Sequence, residues 1–300
     1  MNILFNNVDF SSRSGPNNFG QKLARELTER GHSLTNHNPD VALSFITGYV
    51  PGCRNVLRLD GIYFNSEQEW KKLNDPIQKS YEAADAVIVQ SEFNRDLTAR
   101  YFGKRDNVHV IHNGTCLDLI SNVPAVGLSV KREDVWMCAS SWRPHKRLDE
   151  NIRYFQEHAT DKSILLVAGS NAQVWASNLS DDRIRIVGDL QWNQMISLMK
   201  ASGHFLHLAL LDHCPNVVVD ARASGCQIIC SSAGGTKEIA GEDSIVVKDI
   251  DWDFLPFELY KPRPLDFKSV TGGENSSLDI KDVARRYESV LEDKNDNRTI

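Results

Sequence analysis

The sequence is short of most features that reveal a role at a glance. Its six cysteines lie scattered at 53, 116, 138, 214, 226 and 230, with no C-x-x-C pair among them. That removes any paired-cysteine framework and leaves ordinary buried thiols, which suit a reducing compartment. No apolar run approaches the ~20 residues needed to cross a bilayer. Basic charge is not in excess: 34 Lys and Arg face 40 Asp and Glu, for a net charge of −6. This argues against nucleic acid as the main partner and gives no indication of docking on anionic lipid. No repeat of solenoid period occurs. The opening stretch MNILFNNVDF lacks the basic start and long apolar core of a signal peptide and reads as a strand. A cytoplasmic location is expected.

What is present is an ordinary globular composition, 41% apolar and 25% charged over 300 residues. That length suggests two domains, each able to bury its own core. Strand-like and helix-like segments alternate, which implies an α/β class with parallel sheets. Strands are expected at Asn2–Val8, Val41–Ile46, Asn55–Leu59, Asp85–Gln90 and Asn107–Ile111. Ser91 is a candidate N-cap. A weakly patterned stretch, 116–133, reads as the linker, so the domains are placed at 1–122 and 123–278. A last amphipathic helix, 279–300, is expected to pack back on the first domain.

The densest information lies between His204 and Gly241. His204–Leu210 has strand length, 211–214 reads as a loop, and Pro215 suits the first position of a helix. The unpaired amides of Asn216 and Val217, with the positive end of the helix dipole, form an anion site. Asp212 stands just before them. Asp220 lies ~7.5 Å along the same helix, on the face of Asn216 and Val217. Two carboxylates flanking phosphate-binding amides suit a sugar joined to a nucleotide diphosphate. The competing reading of Asp220 is a solvated helix-face acid, against which stand the apolar residues around it.

This segment resembles the motif of retaining family 4 glycosyltransferases of the GT-B fold. There, two glutamates separated by seven residues precede a small-residue turn, a strand and a Gly-Gly-x-x-Glu loop. Here the spacing holds with Asp212 and Asp220, followed by Ala223-Ser224-Gly225, Gln227–Ser231 and Gly234-Gly235-Thr236-Lys237-Glu238. The run VIVQSEFNRDL to VIHNG resembles the end of the family's N-terminal domain. The resemblance implies two Rossmann-like domains with parallel sheets facing across a cleft. It implies that Asp220 holds the nucleotide ribose and Asp212 the donor sugar.

Other positions follow from the same resemblance. Gly15, in the loop SSRSGPNN after the first strand, matches glycines whose amides approach the diphosphate. Asp60, with Arg58, matches a position beside donor sugar and acceptor; a turn-capping role for Asp60 stands as the alternative. In the cluster from Ser140 to Arg147, Lys146 matches a phosphate-binding lysine. The usual arginine position holds Ser141, and Arg143, two residues on, is the substitute. Backbone near Gly188 is implied to meet the base.

The implied reaction transfers a hexose from a UDP- or GDP-sugar to a hydroxyl of a carbohydrate or other small acceptor, without metal or resident cofactor. A sugar epimerase of the same fold and a non-catalytic nucleotide-sugar binding protein remain as alternatives. Asp249, Asp251 and Asp253 have a metal-like spacing but lack the glycine and distal glutamate of a calcium loop. They read better as acids opening a helix at Trp252. His204 and His207 read as core or surface residues.

Overall fold

The computed structural model describes residues 1–12, 14–175 and 180–292. The expected tail KNDNRTI and the last turns of helix 279–300 lie outside the described residues. The chain divides into two compact units, one comprising Met1–Cys116 and the chain from Ser277, the other Leu117–Ser276.

In the N-terminal unit β1 (Asn2–Asn6) leads into α1 (Gly15–Glu29), followed by β2 (Ser33–Leu34), β3 (Val41–Phe45) and β4 (Arg54–Leu59). Helix α2 (Trp70–Ala83), β5 (Ala86–Val89), α3 (Glu92–Phe102) and β6 (Val108–Val110) complete this stretch. The strands form one parallel sheet in the order β2-β1-β3-β4-β5-β6. Phe19, Leu23 and Leu27, spaced to share one helix face, bury α1 against it. Ser91 caps α3, its side chain accepting from the Asn94 amide at 3.1 Å.

The C-terminal unit begins with α4 (Leu117–Asn122), which the sequence reading assigned to the linker. Its end is tied to this unit by Lys200, which donates to the carbonyls of Ser121 and Val123 at 3.1 and 2.6 Å. The boundary therefore falls at 116/117 and not at 122/123. Then come β7 (Val135–Ala139), α5 (Leu148–His158), β8 (Ile164–Ala168), α6 (Ala172–Trp175), β9 (Ile184–Gly188) and α7 (Trp192–Lys200). They are followed by β10 (His204–His207), α8 (Asn216–Ala223), β11 (Gln227–Ser231), β12 (Ile245–Val247) and β13 (Ser269–Val270). The sheet order is β13-β12-β11-β10-β7-β8-β9, parallel except for the pairing of β12 with β13. β7 and β8 are buried throughout, as unbroken apolar strands covered on both faces should be.

The chain winds one way from β7 to β8 and β9, and the other way from β10 to β11 and β12. The crevice where such a sheet reverses lies at the carboxyl ends of β7 and β10, the place where ligands bind in open α/β sheets. The last helix, α9 (Ile280–Glu292), returns to the N-terminal unit. Its Ile280, Val283, Ala284, Tyr287 and Leu291 join the core under α1.

Helix α2 runs unbroken through Pro76, which lies past its first turn. The helix expected to open at Trp252 does not form. Asp249 is instead the buried partner of Arg147, and Asp253 accepts from the Leu255 amide in a turn.

Candidate active site

The site is built from three loops at the carboxyl edge of the C-terminal sheet. After β7 the chain turns through Pro144–Lys146 and reaches Arg147 in a left-handed conformation, φ 51°. That strained position is held by the Arg147 guanidinium, which pairs with Asp249 at 2.5 Å and donates to the carbonyls of Leu208 and Arg263. Asp249 also accepts from Ser231 at 2.6 Å. One fully buried cation thus ties together the ends of β7, β10, β11 and β12. The loops after β7 and β10 are joined again by Leu210 N–H to the His145 carbonyl, 2.8 Å, and by Leu208 N–H to Asn151 Oδ1, 3.2 Å.

On this frame Lys146 and Asp212, 66 residues apart, meet at 2.5 Å. The Asp212 backbone is held as firmly. Its carbonyl accepts from the Gly235 amide at 2.8 Å, and Gly234 packs flat against it. A Cβ on Gly234 would sit 2.5 Å from that carbonyl oxygen, and φ is +97°, so both space and conformation require glycine. The Asp212 side chain has three partners: Lys146 and His207 (2.9 Å) on Oδ2, and the His213 amide (3.1 Å) on Oδ1. Burial alone would raise this carboxyl; Lys146 and the His207 hydrogen bond outweigh it and hold Asp212 well below the usual carboxylate range. Asp212 is therefore ionised, with room on Oδ1 for one further donor.

Helix α8 starts at Asn216, with Pro215 as the N-cap and not the first helical residue. The first-turn amides thus lie where the sequence placed them, a few residues beyond Asp212. Asp220 is buried on this helix and accepts from the indole of Trp192 at 3.0 Å. Trp192 opens α7, just past Gly188 at the end of β9, where φ is +77°. The segment after β9 and the acid on α8 are therefore linked directly. Arg143 is exposed and forms no ion pair among the described residues, so its guanidinium is available to a ligand.

The remaining named residues belong to the N-terminal unit. Gly15 is the first residue of α1, since the helix starts four residues earlier than the Phe19 pattern indicates. Asp60, at the end of β4, is turned onto Arg58; Oδ1 also accepts from Gln90 at 2.5 Å, and Oδ2 is buried with no hydrogen bond. Burial raises this carboxyl despite Arg58. Arg58 is wholly buried between the rings of Phe19 and Phe45 and donates to Tyr287 and Asn113. A group with metal-like composition, His32 with Glu288 and Glu292, lies in this unit. Its Glu288 is already engaged by Arg30 and His32.

Residues 122–255 match the model of the family described as glycosyl transferases group 1. This segment is similar to a group 1 glycosyltransferase domain. Solved structures resemble the chain over nearly all its length. HepE of Anabaena, solved with UDP, has a TM-score of 0.65 at 15% identity, covering 98% of this chain and 91% of its own. A glycosyltransferase of Rickettsia africae has a TM-score of 0.59 at 15% identity, covering 97% and 93%. Sucrose-phosphate synthase of Thermosynechococcus elongatus has a TM-score of 0.59 at 16% identity, covering 84% and 86%. At such identities the likeness shows the fold, which is GT-B. No curated protein sequence matches the chain. No helix among the described residues is long and apolar enough to cross a membrane.

Sequence reasoning missed Arg147, His207 and Trp192. His207, three residues from His204 on one strand, points to the opposite face, which speaks against a shared metal and leaves a core or surface histidine as the sequence reading. The one available signal was its nearness to Asp212, five residues on.

The candidate site is ringed by imidazoles, His207 buried and His145 and His213 half-buried. Burial lowers His145 to about 3 and His213 to about 4, and lowers His207 as well. These rings stay neutral when folded but take up protons when unfolded below about pH 6.5. The unfolded state then binds more protons, so stability should fall as pH drops from about 6.5 toward 4. Denaturant midpoints measured across that range should decline, and His145→Gln should flatten the decline.

Proposed function

We propose that the chain transfers a hexose from a nucleotide diphosphate sugar to an acceptor hydroxyl, with retained anomeric configuration and without a metal ion. The observation that carries this is the meeting of Lys146 and Asp212 beside the first turn of α8, at the point where the sheet order reverses. Lys146, Arg143 and the Asn216 and Val217 amides would stabilise the charge that grows on the leaving diphosphate. Asp220 would take the ribose, and the backbone near Gly188 the base. Asp212 would offer Oδ1 to a sugar hydroxyl. The crystal structures of HepE with UDP and with UDP-glucose support a uridine donor over a guanosine one.

A lysine, an arginine and helix amides can neutralise a diphosphate between them, so turnover should not need a divalent cation. Donor consumption should survive EDTA in metal-free buffer, and magnesium or manganese should not raise it appreciably. Activity lost to EDTA and restored by either ion would refute the metal-independent form of the mechanism. Product analysis on the same samples should show transfer with the donor's anomeric configuration kept.

A further inference from the structure

The donor-site reading leaves His207 without a task, yet its ring is buried and bonded to the Asp212 carboxylate. It ends β10 in the middle of the sheet, between β7 and β11, and is 4% exposed. We propose that His207 is a positioning residue: it anchors the Asp212 carboxylate, and Asp212 in turn aims the Lys146 ammonium at the donor diphosphate. This rests on the reading of Lys146 as a phosphate contact.

The geometry supports a chain of command from ring to ammonium. The Asp212 backbone is locked by Gly234 and Gly235, which leaves only two side-chain torsions free. The His213 amide takes Oδ1, and His207 Nε2 takes Oδ2. With both oxygens bound, the carboxylate has one orientation. Lys146 then meets the same Oδ2. Lysine is a flexible four-carbon stem bearing a point charge and three donors. One donor on a fixed oxygen places the ammonium and leaves two for phosphate. Without that anchor its ordering would have to be supplied by the ligand, at the expense of affinity. Asp212 is one methylene shorter than the family's glutamate, which suits it to this inward pairing.

The test is reach. Glutamine at 207 can place an amide N–H near the position of imidazole Nε2, whereas asparagine stops short. A nucleoside diphosphate (UDP) and its nucleoside (uridine) are titrated into the wild type, His207→Gln and His207→Asn by calorimetry. His207→Asn should bind UDP about tenfold more weakly, the loss of one hydrogen bond to a charged group. His207→Gln should stay within about threefold of wild type, and uridine should bind all three alike. Equal UDP binding by Asn and wild type overturns the proposal, as do equal losses in Gln and Asn. Uridine falling in step with UDP, or both variants failing to fold, makes the role structural and also overturns it. A wild type that binds no UDP but binds GDP moves the same titration to GDP and guanosine. A wild type that binds neither refutes the donor-site reading itself, and this proposal with it.

Discussion

Lys146→Met should weaken binding of the nucleoside diphosphate by roughly 10- to 100-fold while leaving the nucleoside nearly unaffected. A charge-assisted contact is worth about 1.5–3 kcal/mol, and tenfold in affinity is about 1.4 kcal/mol. Among the described residues the ammonium has one carboxylate partner, Asp212, four residues ahead of α8, so a diphosphate held at that helix start gains directly from it. The fold should tolerate the change. Asp212 keeps His207 and the His213 amide, and Met fills the volume of the lysine stem. Calorimetric titration with both ligands reads the difference. Equal losses for diphosphate and nucleoside would place Lys146 against base or ribose.

The second large effect is on stability. Arg147 and Asp249 are a buried ion pair, with side chains 1% and 2% exposed. Removing one partner leaves the other charged, dry and alone, which costs about 3–5 kcal/mol. Arg147→Met should therefore lower the unfolding free energy by that amount, as measured in urea. The double variant Arg147→Met with Asp249→Asn should recover part of the loss, because a neutral pair has far less to desolvate. Met also removes the donors that hold Leu208 and Arg263 and relaxes a left-handed residue, so recovery should be incomplete. A single variant as stable as wild type would mean that water reaches this pair.

These two residues mark the limit of what the sequence could say. Asp212, Asp220, Gly234 and the start of α8 were legible because strand, loop and helix lie close along the chain, where spacing carries geometry. Lys146 was legible only through resemblance, since nothing local links it to a carboxylate 66 residues away. Arg147, its neighbour, passed as one more basic residue; its partner Asp249 lies 102 residues on, among acids that looked like a helix start. A charge pattern does not distinguish a solvated acid from a buried one, and only the fold brings Asp249 under the β7 loop. Likewise α4 looked like linker because six residues are too few to show a period, and its attachment depends on Lys200. Local backbone preferences and apolar faces were readable. Long-range polar pairs were not, and the site is assembled from such pairs.

The carboxyl edge of the C-terminal sheet, where the donor diphosphate is proposed to bind, is probed by titrating UDP and GDP into the wild type and into Asp220→Asn. One of the two nucleotides should bind one-to-one in EDTA, with a clear loss of affinity in Asp220→Asn, whose carboxylate is proposed to hold the ribose. No binding of either nucleotide, or binding unchanged in both Asp220→Asn and Lys146→Met, would contradict this reading.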